Sequence, residues 1–294
     1  MMGYPARLAP LGTLALLAAL ASPGGGQSPE PLATERCIPV TPPTVDDFEE
    51  RGPWGVQVHQ RTGPDGRFTL VLPDPLGEDG FQHPIATWGN GTSSVPGDYA
   101  GLLSAVVSHG FVVIASDSPR VTPALMRRGL DWVIAESEGS GELAGRIATD
   151  CAVAMGHSLG GGAALGASSH PSVIATVSLH GVDGSVPSVR GPLLLLTSTH
   201  DGAVRKDRVT QPLYDRSETV PTVLATLDVP GFEPSFQGHL VPMGSGGETR
   251  APTIAWLRYW AYGDPVARTW FFGSDCVLCQ PPWTELQRKN GDWD

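Results

Sequence analysis

Positive charge is scarce in this chain. Nineteen Lys and Arg stand against 30 Asp and Glu in 294 residues, a formal net charge of −11 at pH 7. That balance repels a phosphate backbone and an anionic membrane surface. It excludes nucleic-acid binding and electrostatic lipid docking, and it suits neutral substrates. Long apolar runs are also scarce. The stretch from Leu11 to Leu20 is too short to span a bilayer, and no second one follows. Arg7 precedes it and Ala19-Leu20-Ala21 closes it, so residues 1–21 read as a secretory signal and the mature protein as extracellular or periplasmic. With Cys37 too far downstream of the cut for a lipid anchor, no stable membrane attachment is expected. Cysteine is sparse as well: Cys37, Cys151, Cys276 and Cys279 are the four. In an oxidising compartment they are disulfide candidates with three possible pairings. Cys276 and Cys279 are close enough to join each other, in which case Cys37 could reach Cys151, but sequence does not choose. The Cys-x-x-Cys lies after an aromatic loop near the C-terminus rather than at the start of a βα unit, which argues against a redox motif. A second ligand pair is missing, which argues against zinc.

What is abundant organises the rest. Proline and glycine crowd residues 22–50, which read as a linker and N-terminal segment. Residues 51–294 suffice for one α/β domain, expected to be a monomer, and no repeat or composition break divides them. Val56–Gln60 and Phe68–Leu72, joined by Gly63-Pro64-Asp65-Gly66, predict a hairpin. Strands follow at 83–88, 111–115, 148–155, 173–179, 193–197 and 223–227. Helices are predicted over 99–108, 123–137, 162–169 and 249–262. A hairpin followed by alternating β and α predicts a mostly parallel sheet with helices on both faces.

One segment in that pattern carries chemistry. Cys151-Ala152-Val153-Ala154-Met155 is strand-like, Gly156-His157-Ser158-Leu159-Gly160-Gly161 follows, and the small residues from Gly162 to Ala167 suit a helix packed close to a sheet. Strand, Gly-x-Ser-x-Gly, helix is the context of a nucleophile elbow, the mark of an α/β-hydrolase fold. A serine hydroxyl at neutral pH needs a base, and the base needs an orienting acid, in the order Ser, acid, His. Asp201 lies in the loop after the 193–197 strand and His239 in the loop after the 223–227 strand, where the fold would place them. The rivals fit less well. Asp207 sits in a charged run that reads as a solvated helix start, Asp183 comes one strand early, and Asp228 is too close to its strand's end. His59 and His83 precede the elbow, His109 reads as a helix end, and His157 is locked beside the serine. The negative oxygen of a tetrahedral intermediate needs N–H donors. Leu159, directly after the serine, supplies one, and Gly91 or preferably Thr92, after the third strand, the other.

Taken together, Trp88-Gly89-Asn90-Gly91-Thr92, Ser108-His109-Gly110-Phe111-Val112-Val113 with Asp117, the elbow, Asp201 and His239 resemble the bacterial cutinase-like esterases. These include secreted lipases and polyester hydrolases of the dienelactone-hydrolase and chlorophyllase branch of the α/β hydrolases. The resemblance spans roughly residues 50–262 and implies a serine esterase without a large lid. It would act on neutral acyl esters, small or polymeric, through an acyl-enzyme, with no metal or organic cofactor. It places Gly91 and His180 among the substrate-binding residues. Thr92 stands where polyester hydrolases usually carry an aromatic, Leu159 where they carry methionine, and Leu179-His180-Gly181 where they often have tryptophan, so these positions supply no aromatic clamp. Two other readings remain: a lipase or small acyl esterase without polymer activity, and, from another class, an inactive hydrolase-fold binding module. Such a module would be expected to lack a triad member.

Overall fold

The computed structural model describes residues 1–3, 37–38, 42–231 and 235–294. The secretory-signal reading falls on residues 1–21 and so, from residue 4 on, outside the described residues. The same holds for residues 22–36 and 39–41 of the proline- and glycine-rich segment. The chain divides into two compact units, Met1–Leu32 and Ala33–Asp294, and the fold described below is that of the second.

Its frame is one nine-stranded sheet in the order β1-β2-β4-β3-β5-β6-β7-β8-β9. The strands are β1 (Gly55–Thr62), β2 (Phe68–Asp74), β3 (His83–Gly89), β4 (Val112–Ser116), β5 (Ile147–His157), β6 (Val173–Leu179), β7 (Leu193–Ser198), β8 (Thr222–Leu227) and β9 (Trp283–Lys289). β1 and β2 form the expected hairpin, and β2 runs antiparallel to β4. From β4 to β8 every neighbouring pair is parallel, and β9 closes the edge antiparallel to β8. The sheet is mixed but mostly parallel. Strands such as β4 and β7 read as unbroken apolar runs because both their faces are covered.

The helices that matter here are α1 (Ala100–Ser108), α2 (Pro123–Glu138), α3 (Leu159–Ala167), α4 (Gln211–Arg216), α5 (Gln237–Leu240) and α6 (Arg250–Tyr262). Alternate residues of the inner strands point to opposite layers. Val113 and Val153 join a cluster with Leu102 and Val106 of α1 and Ile254 and Trp256 of α6. Val112, Ile114, Ala152 and Ala154 join another with Met126 and Leu130 of α2 and Ala163 of α3. The result is the α/β-hydrolase architecture, helix layers on both faces of the sheet. The sequence pattern did not yield β9. Its residues, WTELQRK, are mostly polar and only partly covered, so the strand is set by pairing with β8 rather than by its own periodicity.

Of the three possible disulfide pairings the structure has Cys37–Cys151 and Cys276–Cys279, with Cα separations of 5.6 and 5.0 Å. The first ties the segment before β1 to β5, the strand that carries the elbow.

Candidate active site

β5 ends at His157 and α3 begins at Leu159, so one residue makes the turn. Ser158 takes φ 54°, ψ −117°, left-handed backbone that an L-residue adopts only under constraint. The constraint is visible. Ser158 N–H donates to Leu179 O at 3.0 Å, and Ser158 O accepts from Gly162 N–H at 3.2 Å and Val182 N–H at 3.0 Å. The flanking glycines are required by crowding. A Cβ on Gly156 would lie 2.3 Å from Gly160 O, and one on Gly160 1.9 Å from Gly89 O.

The loop after β7 brings Asp201 to the serine, and the short helix α5, after β8, brings His239. His239 Nε2 lies 3.0 Å from Ser158 Oγ, and His239 Nδ1 lies 3.0 Å from Asp201 Oδ2. Because an ionised carboxylate only accepts, Nδ1 carries the proton and Nε2 presents a lone pair to the hydroxyl. Asp201 Oδ1 accepts the N–H groups of Ala203 at 3.0 Å and Val204 at 2.7 Å. Burial pushes the Asp201 carboxyl up, but hydrogen bonds from His180 and His239 outweigh it and hold the group well below the usual carboxylate range. The segments that carry Asp201 and His239 are also stitched together, Gly202 N–H donating to Ser235 O at 2.8 Å and Gly238 N–H to His200 O at 3.0 Å. Asp207, the rival acid, is exposed and paired with Arg205 at 2.9 Å. It is not part of this cluster.

His180 requires a correction. Expected among the substrate-binding residues, it is fully buried, and its Nδ1 lies 2.9 Å from Asp201 Oδ2. It stands behind Asp201 as a second imidazole donor, with no face open to solvent. His180, Asp201 and His239 bring ligand-type atoms within 4.8 Å of one another. In this arrangement both Nδ1 protons point at the carboxylate, so neither nitrogen offers a lone pair to a metal there.

At the other wall, Trp88 Nε1–H donates to Asn90 Oδ1 at 2.9 Å and Asn90 Nδ2 donates to Ser116 O at 2.7 Å, fixing the loop after β3. Gly91 is close to the serine, a Cβ built on it falling 3.5 Å from Ser158 Cβ. Its N–H is already taken by Tyr99 Oη at 3.1 Å, so it has no free donor for a substrate. Among the described residues, the N–H groups of Thr92 and Leu159 donate to no backbone or side-chain acceptor. Thr92 is exposed and Leu159 half-buried. Sequence reasoning did not single out Tyr99. It lies at a loop–helix junction, and its partner His157 is 58 residues away, a pairing that no local pattern signals.

An α/β sheet with a strained serine between strand and helix, and a histidine and a carboxylate hydrogen-bonded in line behind it, defines the α/β-hydrolase class. Residues 91–284 match the PETase family, described as PET hydrolase-like, and the chain belongs to that family. It is 27% identical to cutinase est2 of Thermobifida alba over 235 residues, 71% of this chain and 74% of that one. Cutinase est1 of the same organism is 26% identical over 234 residues, 71% of this chain and 75% of the relative. By this membership the protein is an enzyme, a carboxylic ester hydrolase of the serine esterase kind.

Proposed function

We propose that the protein is a secreted, cutinase-like serine esterase that cleaves neutral esters through an acyl-enzyme on Ser158. The observation that carries the reading is the unbroken line from Ser158 Oγ to His239 Nε2 at 3.0 Å and from His239 Nδ1 to Asp201 at 3.0 Å. As Ser158 Oγ bonds to the ester carbonyl carbon, its proton passes to His239 Nε2, and Asp201 stabilises the imidazolium. The N–H groups of Leu159, at the start of α3, and Thr92 receive the oxyanion. Collapse breaks the bond to the alcohol oxygen, which leaves with the proton from His239. Water then attacks the acyl-serine and gives a proton to His239, which returns it to Ser158 Oγ as the acid departs.

The apolar side of the substrate is supported by three exposed side chains on the loops that carry the site. Val95 follows Thr92, and Phe236 and Leu240 flank His239. Two disulfides support secretion into an oxidising compartment. A narrower reading, an esterase for small or single-chain acyl esters without polymer activity, is favoured by two positions. Thr92 offers no aromatic ring, and His180 is buried rather than facing a substrate. Initial rates on nitrophenyl esters of rising chain length, beside product release from a polyester film, test both. Turnover of soluble esters with release from the film supports the broader reading, turnover without release the narrower one. An absence of ester turnover altogether defeats both.

A further inference from the structure

Behind the serine runs a buried chain of hydrogen bonds whose direction can be assigned atom by atom. It starts at the backbone of the base. His239 O can only accept, so His157 Nε2, 2.8 Å away, carries a proton. Burial lowers His157 to about 3, so the ring is neutral and its Nδ1 presents a lone pair. Tyr99 Oη lies 2.8 Å from that Nδ1 and donates to it. The phenol oxygen then accepts the Gly91 N–H at 3.1 Å. Gly91, Tyr99 and His157 are all buried, so water is no ready substitute partner for any link.

The two ends of this chain are the two loops whose placement about Ser158 matters most. One end is the residue before Thr92, and the other is the main chain of His239. We propose that Tyr99 and His157 are positioning residues that couple the oxyanion loop to the base loop. Through them the Thr92 N–H and the His239 imidazole keep their places as charge develops on the substrate. This rests on the assignment of Ser158, His239 and Thr92 above. Neither Tyr99 nor His157 needs to touch the substrate. Their effect is on geometry, and an error of about 1 Å at reacting groups is enough to cost on the order of 100-fold in rate.

Tyr99→Phe is the sharpest test, because it keeps the ring and its packing on Trp88 at 4.9 Å and removes one oxygen. With a soluble nitrophenyl ester, kcat is expected to fall about 10- to 100-fold while KM stays within about two-fold. Phosphonylation of Ser158 should slow by the same factor. His157→Gln, whose amide can still donate to the His239 carbonyl, should retain more activity than His157→Leu. Adding Tyr99→Phe to His157→Leu should cost little more, since the chain is already cut. A merely structural role would lower Tm and leave kcat alone. The proposal is overturned if Tyr99→Phe keeps kcat within about two-fold of the parent, if its loss lies in KM, if His157→Gln is no better than His157→Leu, or if the double variant is fully additive. Ser158→Ala, run alongside, separates the two levels. If it is dead while Tyr99→Phe is unimpaired, only the coupling fails; if it is still active, the assignment of the site fails and the coupling with it.

Discussion

At the scale of single residues, Asp201 is the most constrained member of the cluster. Four N–H groups converge on Asp201: His180 and His239 on Oδ2, Ala203 and Val204 on Oδ1. An asparagine there must turn its own NH2 toward donors on one side or the other. Asp201→Asn is therefore expected to lower kcat by about 10³- to 10⁴-fold, and Asp207→Ala to change it little. Steady-state rates on a soluble ester distinguish them, and the reverse pattern would move the acid to Asp207. Replacing His180 with Phe removes one of the four donors from a buried carboxylate and should cost about 1–3 kcal/mol of stability, read from urea unfolding. The cluster of Ser158, His239 and Asp201 was legible as a meeting of residues because a motif and an order along the chain mark them: Ser158 by its glycines, Asp201 and His239 by their places after β7 and β8. The contacts of His180 and Tyr99 were not legible, because each partner is brought near only by folding, 21 and 58 residues away respectively.

At the scale of elements, apolar runs buried on both faces made β3 to β8 readable, and the polar β9 escaped for the same reason in reverse. The elbow shows how tightly composition and packing are joined. Helix α3 approaches the sheet so closely that Gly160 leaves no room for a methyl group against Gly89 O, only 1.9 Å from a built Cβ. The opposing atom is backbone, which cannot rotate away. Gly160→Ala is expected to destabilise the protein by at least about 3 kcal/mol, enough to show as a large fall in Tm or loss of soluble protein. A Gly160→Ala variant with parental Tm would mean that α3 sits farther from β3 than described.

At the scale of the whole molecule, covalent ties and buried histidines set how the fold meets its environment. Cys37–Cys151 closes a sequence separation of 114 and Cys276–Cys279 one of 3. In the chain-entropy model the long loop contributes about 4–5 kcal/mol and the short one much less. Cys37→Ser should therefore reproduce most of the fall in urea midpoint caused by reduction, and free thiols in the isolated protein would contradict the pairing. Burial holds His83 and His109 down at about 4 and His157 at about 3, and it lowers His180 as well. Unfolded, each takes a proton near 6.5, so below that pH the unfolded chain binds more protons than the folded one. Stability is full above about pH 7 and falls as pH drops toward the folded values, by up to about 1.4 kcal/mol per pH unit for each histidine. Asp201, held low in the fold, adds to the loss below the ordinary carboxylate range. The urea midpoint should drop steeply between pH 6.5 and 4.5. A flat profile there would mean these imidazoles are already protonated in the folded state.

Labelling the native protein with an organophosphonate ester, and mapping the adduct by peptide mass spectrometry, tests whether Ser158 is the nucleophile and His239 its base. One adduct per chain is expected, on Ser158, formed at least about 1,000-fold more slowly in His239→Ala and absent in Ser158→Ala. An adduct on any other residue, or labelling of Ser158 that is indifferent to loss of His239, would contradict it.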